Sequence, residues 1–435
     1  MTPTFVVETS TTVPLVEIVL ALPVGSMSDA LGREGALALA LRSLRRGCEG
    51  RTSVQIDDEI DRLGAEFATG LDALQCSLHI TTLTRNLEAI VALVAQMVLR
   101  PTFAEEEVAR VRREMIAEQI DSRNDDRTLC GRFFRRHIFA GHPLGRPSSG
   151  TLTSLEKLSM RDVQTAWKHA WGTQGLIVGA SGDVTEARLQ ALWGKYFAAS
   201  YRPKREAPAL PDEPSRIRGR HLIVVDKPAR TQSQIMIGTL GTHPRDKDHH
   251  ALYAANTVFG GTFTSRLTRE IRSKRGWSYG ASSRLGRERV RELFSMWTFP
   301  KADDAAACIK LQLKLVEKLV ESGVSERELS FVQRYLARSS VFDEDTASKR
   351  LSSRLDEVTG DMPKGYHKNF VRKIEEVDLE AANQALQKRL NPEDMLICIT
   401  ATASEQLAKI EKAIPRLAST RVVSFDCDEF FGRWW

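Results

Sequence analysis

The 435-residue sequence lacks the signatures of several protein classes. No apolar run approaches the ~20 residues that a membrane-spanning helix requires, so no membrane insertion is expected. The six cysteines include no Cys-x-x-Cys pair, which argues against zinc ribbons and disulfide frameworks and favours a reducing compartment. The nine histidines form no His-x-x-x-His or His-x-x-Glu-His pattern, and the adjacent His249 and His250 are interpreted as solvated surface residues.

The sequence also lacks a large excess of charge of either sign. The 62 Lys and Arg residues exceed the 56 Asp and Glu residues by only six, and the basic residues are dispersed without interleaved aromatics. Nucleic-acid binding is therefore not expected. The first five residues carry no basic segment of a signal peptide. We therefore expect a cytoplasmic protein, or a periplasmic one if a signal peptide has been removed.

The length and the order of predicted elements indicate two domains. Residues 1–200 predict strands, a helix, a hairpin, long helices, and a closing strand and helix, and residues 219–435 repeat that order. Between them, residues 201–218 carry four prolines and alternating charges, which is typical of a linker. We predict an α+β fold of two homologous domains of about 200 residues. Each would have an antiparallel-rich sheet packed with helices, and the pair would have arisen by duplication.

The segment 264–280 contains a cation and a phenol on either side of one turn. Apolar positions three or four residues apart predict a helix over 264–274, Gly276 is suited to end it, and Trp277 would begin a strand. Arg272 and Tyr279 would flank the turn, where their donors could hold a peptide carbonyl or an oxyanion. The alternative is that Arg272 solvates the helix end and Tyr279 is a half-buried strand residue.

A second segment, Gly35 to Gly47, predicts a helix with Leu37, Leu41 and Leu44 on one face. Together with the two halves and the linker, these segments resemble the pitrilysin/insulinase family of zinc metallopeptidases in its short two-domain form. The resemblance covers essentially the whole chain. In that family the N-terminal half carries His-x-x-Glu-His on a helix, where two histidines bind zinc and the glutamate acts as general base.

The resemblance implies that this chain has lost the zinc ligands. The first histidine position is Ala38, the glutamate position is Leu41, and the second histidine position is Arg42. Counting back from the Asp125-Asp126 pair places Gln119 where the family has a further ligand glutamate. Glu118 is adjacent and is expected to point about 100° away on a helix. Alanine and leucine cannot ligate a metal and a guanidinium repels one, so no metal is expected to bind here.

The C-terminal half keeps the other element of the family's site. Ser265-Arg266-Leu267, followed by Arg272, Gly276 and Tyr279, is similar to the Arg/Tyr pattern of active members. The resemblance implies that Arg272 and Tyr279 grip the substrate backbone opposite the zinc. It implies a metal-lacking subunit of a heterodimeric peptidase, inactive alone, whose partner is a homologous chain that binds zinc. The substrate would be a peptide or a small unfolded segment.

Other interpretations remain open from the sequence, one of them a basic scaffold that binds anionic partners, which rests only on the net charge. The chain could be an inert structural or peptide-binding member of the family, in which Arg272 and Tyr279 only hold a turn. The aromatic end, residues 430–435, could dock on its own domain or anchor a partner chain.

Overall fold

The structure, a computed structural model, describes residues 2–360 and 362–428. The aromatic end discussed above lies outside these residues. The chain divides into two compact units. The first unit comprises Met1–Ile120, Arg146–Pro211 and Phe342–Asp361, and the second comprises Asp121–Gly145, Asp212–Val341 and Met362–Trp435.

The first unit contains a five-stranded sheet. Its strands are β1 (Thr4–Thr9), β2 (Leu15–Leu22), β5 (Glu66–Leu71), β6 (Cys76–Leu83) and β7 (Ile177–Gly182), and a two-residue pair, β3 (Gly47–Cys48) and β4 (Arg51–Thr52), forms a separate ladder. The spatial order is β1-β7-β2-β6-β5, with β1 and β7 parallel and the other neighbours antiparallel. Alternate residues of β6 are buried, as expected for a strand with one face on a core.

The second unit contains a six-stranded sheet. Its strands are β8 (Arg220–Asp226), β9 (Gln234–Leu240), β10 (Ala281–Leu285), β11 (Leu293–Thr298), β12 (Met395–Ala401) and β13 (Leu417–Ser424). The spatial order is β10-β11-β9-β12-β8-β13, and the ladders of β8 with β12 and β13 are parallel. Every residue of β12, a central strand, is buried.

The two sheets have the same connectivity. In each, the first strand lies parallel to the closing strand, and that closing strand is followed by the second, fourth and third strands in turn. The second sheet adds β13 outside its first strand. An α+β fold with two similar units is therefore confirmed, and the repeated connectivity is what duplication of one ancestral unit would produce.

Helices flank both sheets. In residue order up to the proline-rich segment they are α1 (Ala36–Ser43), α2 (Ser53–Arg62), α3 (Leu87–Leu99), α4 (Glu105–Asp121), α5 (Asp126–Ile138), α6 (Leu152–Lys157), α7 (Met160–Trp171) and α8 (Glu186–Tyr196). After it they are α9 (His249–Asn256), α10 (Arg266–Thr268), α11 (Ala305–Ser322), α12 (Glu326–Ser339), α13 (Ala347–Thr359), α14 (Tyr366–Glu375), α15 (Leu379–Arg389) and α16 (Ala403–Ala413).

Each unit includes a helix from the other half of the sequence. Helix α13 packs on β1 and β7 of the first sheet, where Leu351 lies among Val6, Val19 and Ile177. Helix α5 packs on β9 and β12 of the second sheet, and the Cys130 thiol lies 3.5 Å from the Cys398 carbonyl oxygen. Both helices cover the sheet face opposite the main core of their unit.

Three details differ from the sequence predictions. Helix α14 and strand β13 were not predicted. The interpretation of His249 as a solvated surface residue is wrong, because its ring is buried between the hydroxyls of Thr242 and Tyr366, 2.9 Å from each. Within the described ranges, no helix is both long and apolar enough to cross a membrane.

Candidate functional site

Helix α1 begins at an unusual backbone turn. Gly35 precedes it with φ at +93°, a conformation that glycine adopts most readily. The amides of Gly35 and Leu37 donate to the carboxylate of Asp29 at 2.9 and 3.0 Å, so a distant carboxylate caps the helix. Burial raises the Asp29 pKa to about 6, although these two amides and Arg146 oppose the shift.

The metal-motif positions of α1 differ in their exposure. Ala38 and Leu41 are buried, at 7% and 2% exposure, and belong to the core of the first unit. Arg42 is the only residue of the helix that is exposed. Leu41 therefore acts as a core residue at the position where the resemblance places a catalytic base.

Arg42 forms an ion pair with helix α4. Its Nη1 donates to both carboxylate oxygens of Glu118, at 2.9 and 2.7 Å. One turn further along, Arg46 pairs with Glu114 at 3.3 Å. Glu118 was expected to point about 100° away from the position of the ligand glutamate, yet its carboxylate contacts Arg42, the residue that the resemblance aligns with the second histidine. The assignment of Gln119 to the ligand position stays a prediction. The sequence count that selected Gln119 differs from this contact by one residue.

The side chains here do not form a metal site. A ligand set for zinc needs three or four nitrogen, sulfur or oxygen donors around one point. Ala38 and Leu41 supply none, and the Glu118 carboxylate is paired with a cation. In the part of the chain that the structure describes, no group of three or more His, Cys, Asp or Glu residues could hold a metal ion.

The second candidate segment lies in the second unit. Ser265 caps helix α10 through the amide of Thr268, and the helix continues as a π-helical turn, Arg269–Ser273. Gly276, with φ at +63°, ends it. The amides of Gly276 and Trp277 donate to the carbonyls of Arg272 and Ile271 at 3.0 and 3.1 Å, which satisfies the last turn. π-Helical turns are rare and occur frequently at functional sites.

The segment after Gly276 is not the predicted strand. Strand β10 begins at Ala281, and residues 276–280 are irregular. The Ser278 hydroxyl donates to the Gly280 carbonyl at 2.7 Å and accepts from the Phe299 amide at 3.2 Å. These hydrogen bonds take the place of strand pairing. The side chain of the next residue, Tyr279, projects into solvent with 77% of its area exposed.

Arg272 is held by aromatic rings. Its guanidinium carbon lies 4.3 Å from the centre of the Tyr279 ring and 4.2 Å from the centre of the Phe263 ring. Both distances are within the ~6 Å over which a cation is attracted to a ring face. The structure thus brings the two predicted residues together and adds Phe263, which is 72% exposed.

Most of the cations around Arg272 form ion pairs within the described part of the chain. Lys274 and Arg275 both pair with Glu270, and Arg266 pairs with Glu328. Among the described residues, no carboxylate pairs with the Arg272 guanidinium and no acceptor bonds to it. The Tyr279 hydroxyl likewise has no hydrogen-bond partner within the described ranges. Two donors are therefore available at one exposed place, and aromatic contacts rather than polar bonds position the cation.

Comparisons with known proteins identify the family. The family model described as "Insulinase (Peptidase family M16)" matches residues 4–152, and the model described as "Peptidase M16 inactive domain" matches residues 157–336. The chain belongs to the M16 family. An uncharacterized zinc protease of Mycobacterium tuberculosis is 25% identical over 373 residues, which span 85% of this chain and 84% of that protein.

Two further proteins that are similar to this chain carry other descriptions. A non-peptidase homolog from Helicobacter pylori is 23% identical, over 79% of this chain and 82% of its own length. A solved structure from Pseudomonas fluorescens, described as a peptidase M16 inactive domain, superposes with a TM-score of 0.83 at 22% identity. That match covers 97% of this chain and 96% of the other, and at this identity it establishes the fold alone.

Proposed function

We propose that this M16 chain is the subunit without zinc of a heterodimeric peptidase. It would supply Arg272, Tyr279 and half of the substrate chamber to a homologous partner that binds the metal. The observation that supports the proposal is the environment of Arg272: its guanidinium lies against two exposed rings and has no acceptor in the described part of the chain. A guanidinium that is positioned but unpaired is suited to an acceptor that arrives from outside.

The chemistry follows from the donors. The N–H groups of Arg272 would bind a carbonyl of the peptide backbone and so orient it, and the Tyr279 hydroxyl would donate to the oxyanion as it develops. In hydrolases studied by mutagenesis, removing one such donor lowers kcat by about 10²-fold or more. The partner's zinc would supply the activated water. This chain's contribution is thus binding and charge stabilisation.

The first unit supports the proposal that the partner, and not this chain, binds the zinc. Its motif helix carries Ala38 and Leu41 in the core and a cation at Arg42, and we infer that the third ligand position is occupied by Glu118 rather than Gln119. The chain alone should therefore be inactive. We place the heterodimer in the cytoplasm, because the six cysteines are free thiols, and the periplasm is the alternative if a signal peptide is removed.

The test is co-purification with a zinc-binding M16 homologue from the same genome, scored by cleavage of unstructured fluorogenic peptides. Arg272→Ala combined with Tyr279→Phe should lower kcat/KM of the heterodimer by about 10²-fold or more. Arg269→Ala is the matched control, since Arg269 is an exposed cation three residues away on the same helix. EDTA-sensitive cleavage by the lone chain, or a heterodimer indifferent to the double variant, would refute the proposal.

The second candidate is an inert structural or peptide-binding role. It is favoured by one observation, the similarity to a relative that is described as a non-peptidase homolog. In that case the double variant would change stability or peptide affinity, while no partner would gain activity from the chain. The same co-purification separates the two functions.

A further inference from the structure

Phe263 is exposed although it is strongly apolar. With 72% of its area in solvent, the ring adds little to the core, and leaving it in water is unfavourable. The guanidinium carbon of Arg272 lies over this ring, 4.2 Å from its centre. The ring therefore contributes where the cation is, rather than to the packing of the unit.

The turn that carries Phe263 is anchored on both sides. Before it, Gly260 lies so close to Ser283 of β10 that an added Cβ would stand 2.4 Å from the serine hydroxyl. Around it, the Ser265 amide donates to the Thr262 carbonyl at 3.1 Å. After it, the Thr268 hydroxyl donates to the Ala281 carbonyl at 2.8 Å, which ties the helix to the start of β10, two residues after Tyr279.

These anchors place the backbone that carries the two rings. The segment with Phe263 is tied to β10 by the Thr268–Ala281 hydrogen bond and by the close approach of Gly260 to Ser283, and Tyr279 lies two residues before that strand. An arginine side chain loses substantial rotamer freedom when it is immobilised. Two rings that already restrict the guanidinium reduce the entropy that remains to be lost on binding.

We propose that Phe263 is a positioning residue of the substrate grip: together with Tyr279 it holds the Arg272 guanidinium so that its N–H groups face a peptide carbonyl. The inference rests on the proposed function and adds a residue to it. It assigns Phe263 no direct role in the reaction. Removing the Phe263 ring should leave the positive charge of Arg272 in place, but the guanidinium should then adopt more orientations.

The test uses the full chain and variants Phe263→Ala, Phe263→Leu and Phe263→Tyr. Phe331→Ala is the control, because Phe331 is an exposed phenylalanine on α12 of the same unit. The first measurement is the ¹⁵N signal of the Arg272 Nε–H group, assigned by its loss in Arg272→Lys. We expect Phe263→Ala and Phe263→Leu to shift this signal towards that of a solvated arginine. Phe263→Tyr and Phe331→Ala should retain its position.

The second measurement is the affinity of the chain for a fluorescein-labelled, unstructured 15-residue peptide with balanced charge. Loss of one exposed cation–π contact should weaken binding about 2- to 5-fold in Phe263→Ala, with recovery in Phe263→Tyr. The thermal midpoint should be unchanged in all variants, which separates positioning from a purely structural role.

The outcomes distinguish this inference from the proposed function. An unchanged Arg272 signal in Phe263→Ala, or wild-type behaviour of Phe263→Leu in both measurements, would overturn the positioning role. If Arg272→Ala abolishes peptide affinity and Phe263→Ala has no effect, only the positioning role falls. If Arg272→Ala does not change the rate of cleavage by the heterodimer, the proposed function is refuted. The Nε–H signal of Arg272 in the Phe263 variants still decides whether Phe263 orients the guanidinium.

Discussion

One guanidinium nitrogen of Arg42 lies 2.9 and 2.7 Å from the two carboxylate oxygens of Glu118. This pair joins α1 to α4 at the place where the M16 resemblance puts a zinc ligand. The guanidinium supplies the positive charge that pairs with the Glu118 carboxylate. Four predictions test this region and the stability of the second unit.

The first prediction concerns the strength of the pair itself. The side chains of Arg42 and Glu118 are 39% and 56% exposed, so solvent screens their attraction. A double-mutant cycle of Arg42→Ala and Glu118→Ala should give a coupling of about 0.2–1 kcal/mol in urea unfolding. A coupling well above this range would mean that the pair holds the two helices together.

The second prediction is that zinc affinity can be restored. Ala38→His and Arg42→His together restore the two histidine ligands of the helical motif, and Glu118 should complete the set. Leu41 is left unchanged, because it is a core residue and the glutamate of the motif is a general base rather than a ligand. After dialysis, metal analysis should find about one zinc per chain in this double variant. Adding Glu118→Gln should reduce zinc affinity at least 10-fold.

The same experiment decides between the two candidate positions on α4. If the count from the sequence is right, then Gln119→Glu should rescue zinc binding in the variant that lacks the Glu118 carboxylate. We expect no rescue, because a shift of one residue turns a side chain about 100° around the helix.

The third prediction tests Leu41 as a core residue. Leu41→Ala should lower the free energy of unfolding by about 2–5 kcal/mol, because it removes a buried side chain and leaves a cavity. Leu31→Ala is the control, since Leu31 is 82% exposed and its truncation should have little effect. Equal effects of the two substitutions would show that Leu41 does not pack as described.

The fourth prediction is a pH dependence from His249. Burial lowers its pKa to about 3, assisted by the nearby His250 and Arg287, against an unfolded value of 6.5. The unfolded state therefore binds more protons between these values, and stability is lost as the pH falls below 6.5. From pH 6.5 to 5 the loss should be about 2 kcal/mol.

His249→Gln isolates this contribution. Glutamine keeps polar atoms near the hydroxyls of Thr242 and Tyr366 but does not titrate. The stability difference between wild type and variant, measured by urea unfolding at pH 5, 6 and 7, should shrink towards acid pH. A constant difference would show that His249 is not the group that titrates.

Periodicity predicted most of the regular elements. The hairpin predicted within residues 1–200 is formed by β5 and β6, and the face of α1 predicted from Leu37, Leu41 and Leu44 is buried in the structure. Only the start of the strand predicted from Trp277 was wrong, since β10 begins at Ala281. Before it, the Ser278 hydroxyl bonds to backbone groups that a strand would otherwise have paired. Such side-chain bonds compete with pairing and leave no mark in the apolar pattern.

The site was harder to read than the fold. Arg272 and Tyr279 stood out as donors on either side of one turn, and the structure brings them together. Phe263 was missed because its contact with Arg272 bridges nine residues of sequence. The orientation of Glu118 was missed because a helical position can be assigned only as well as the helix register is known.

The helices that cross between the halves have a consequence for synthesis. The face of the first sheet that contains Val6, Val19 and Ile177 is covered by Leu351 of α13, which leaves the ribosome long after the strands. During translation this apolar face remains open to solvent, a condition that favours aggregation and chaperone binding. Cutting the chain in the proline-rich segment should therefore yield an N-terminal fragment that is poorly soluble when expressed without the rest.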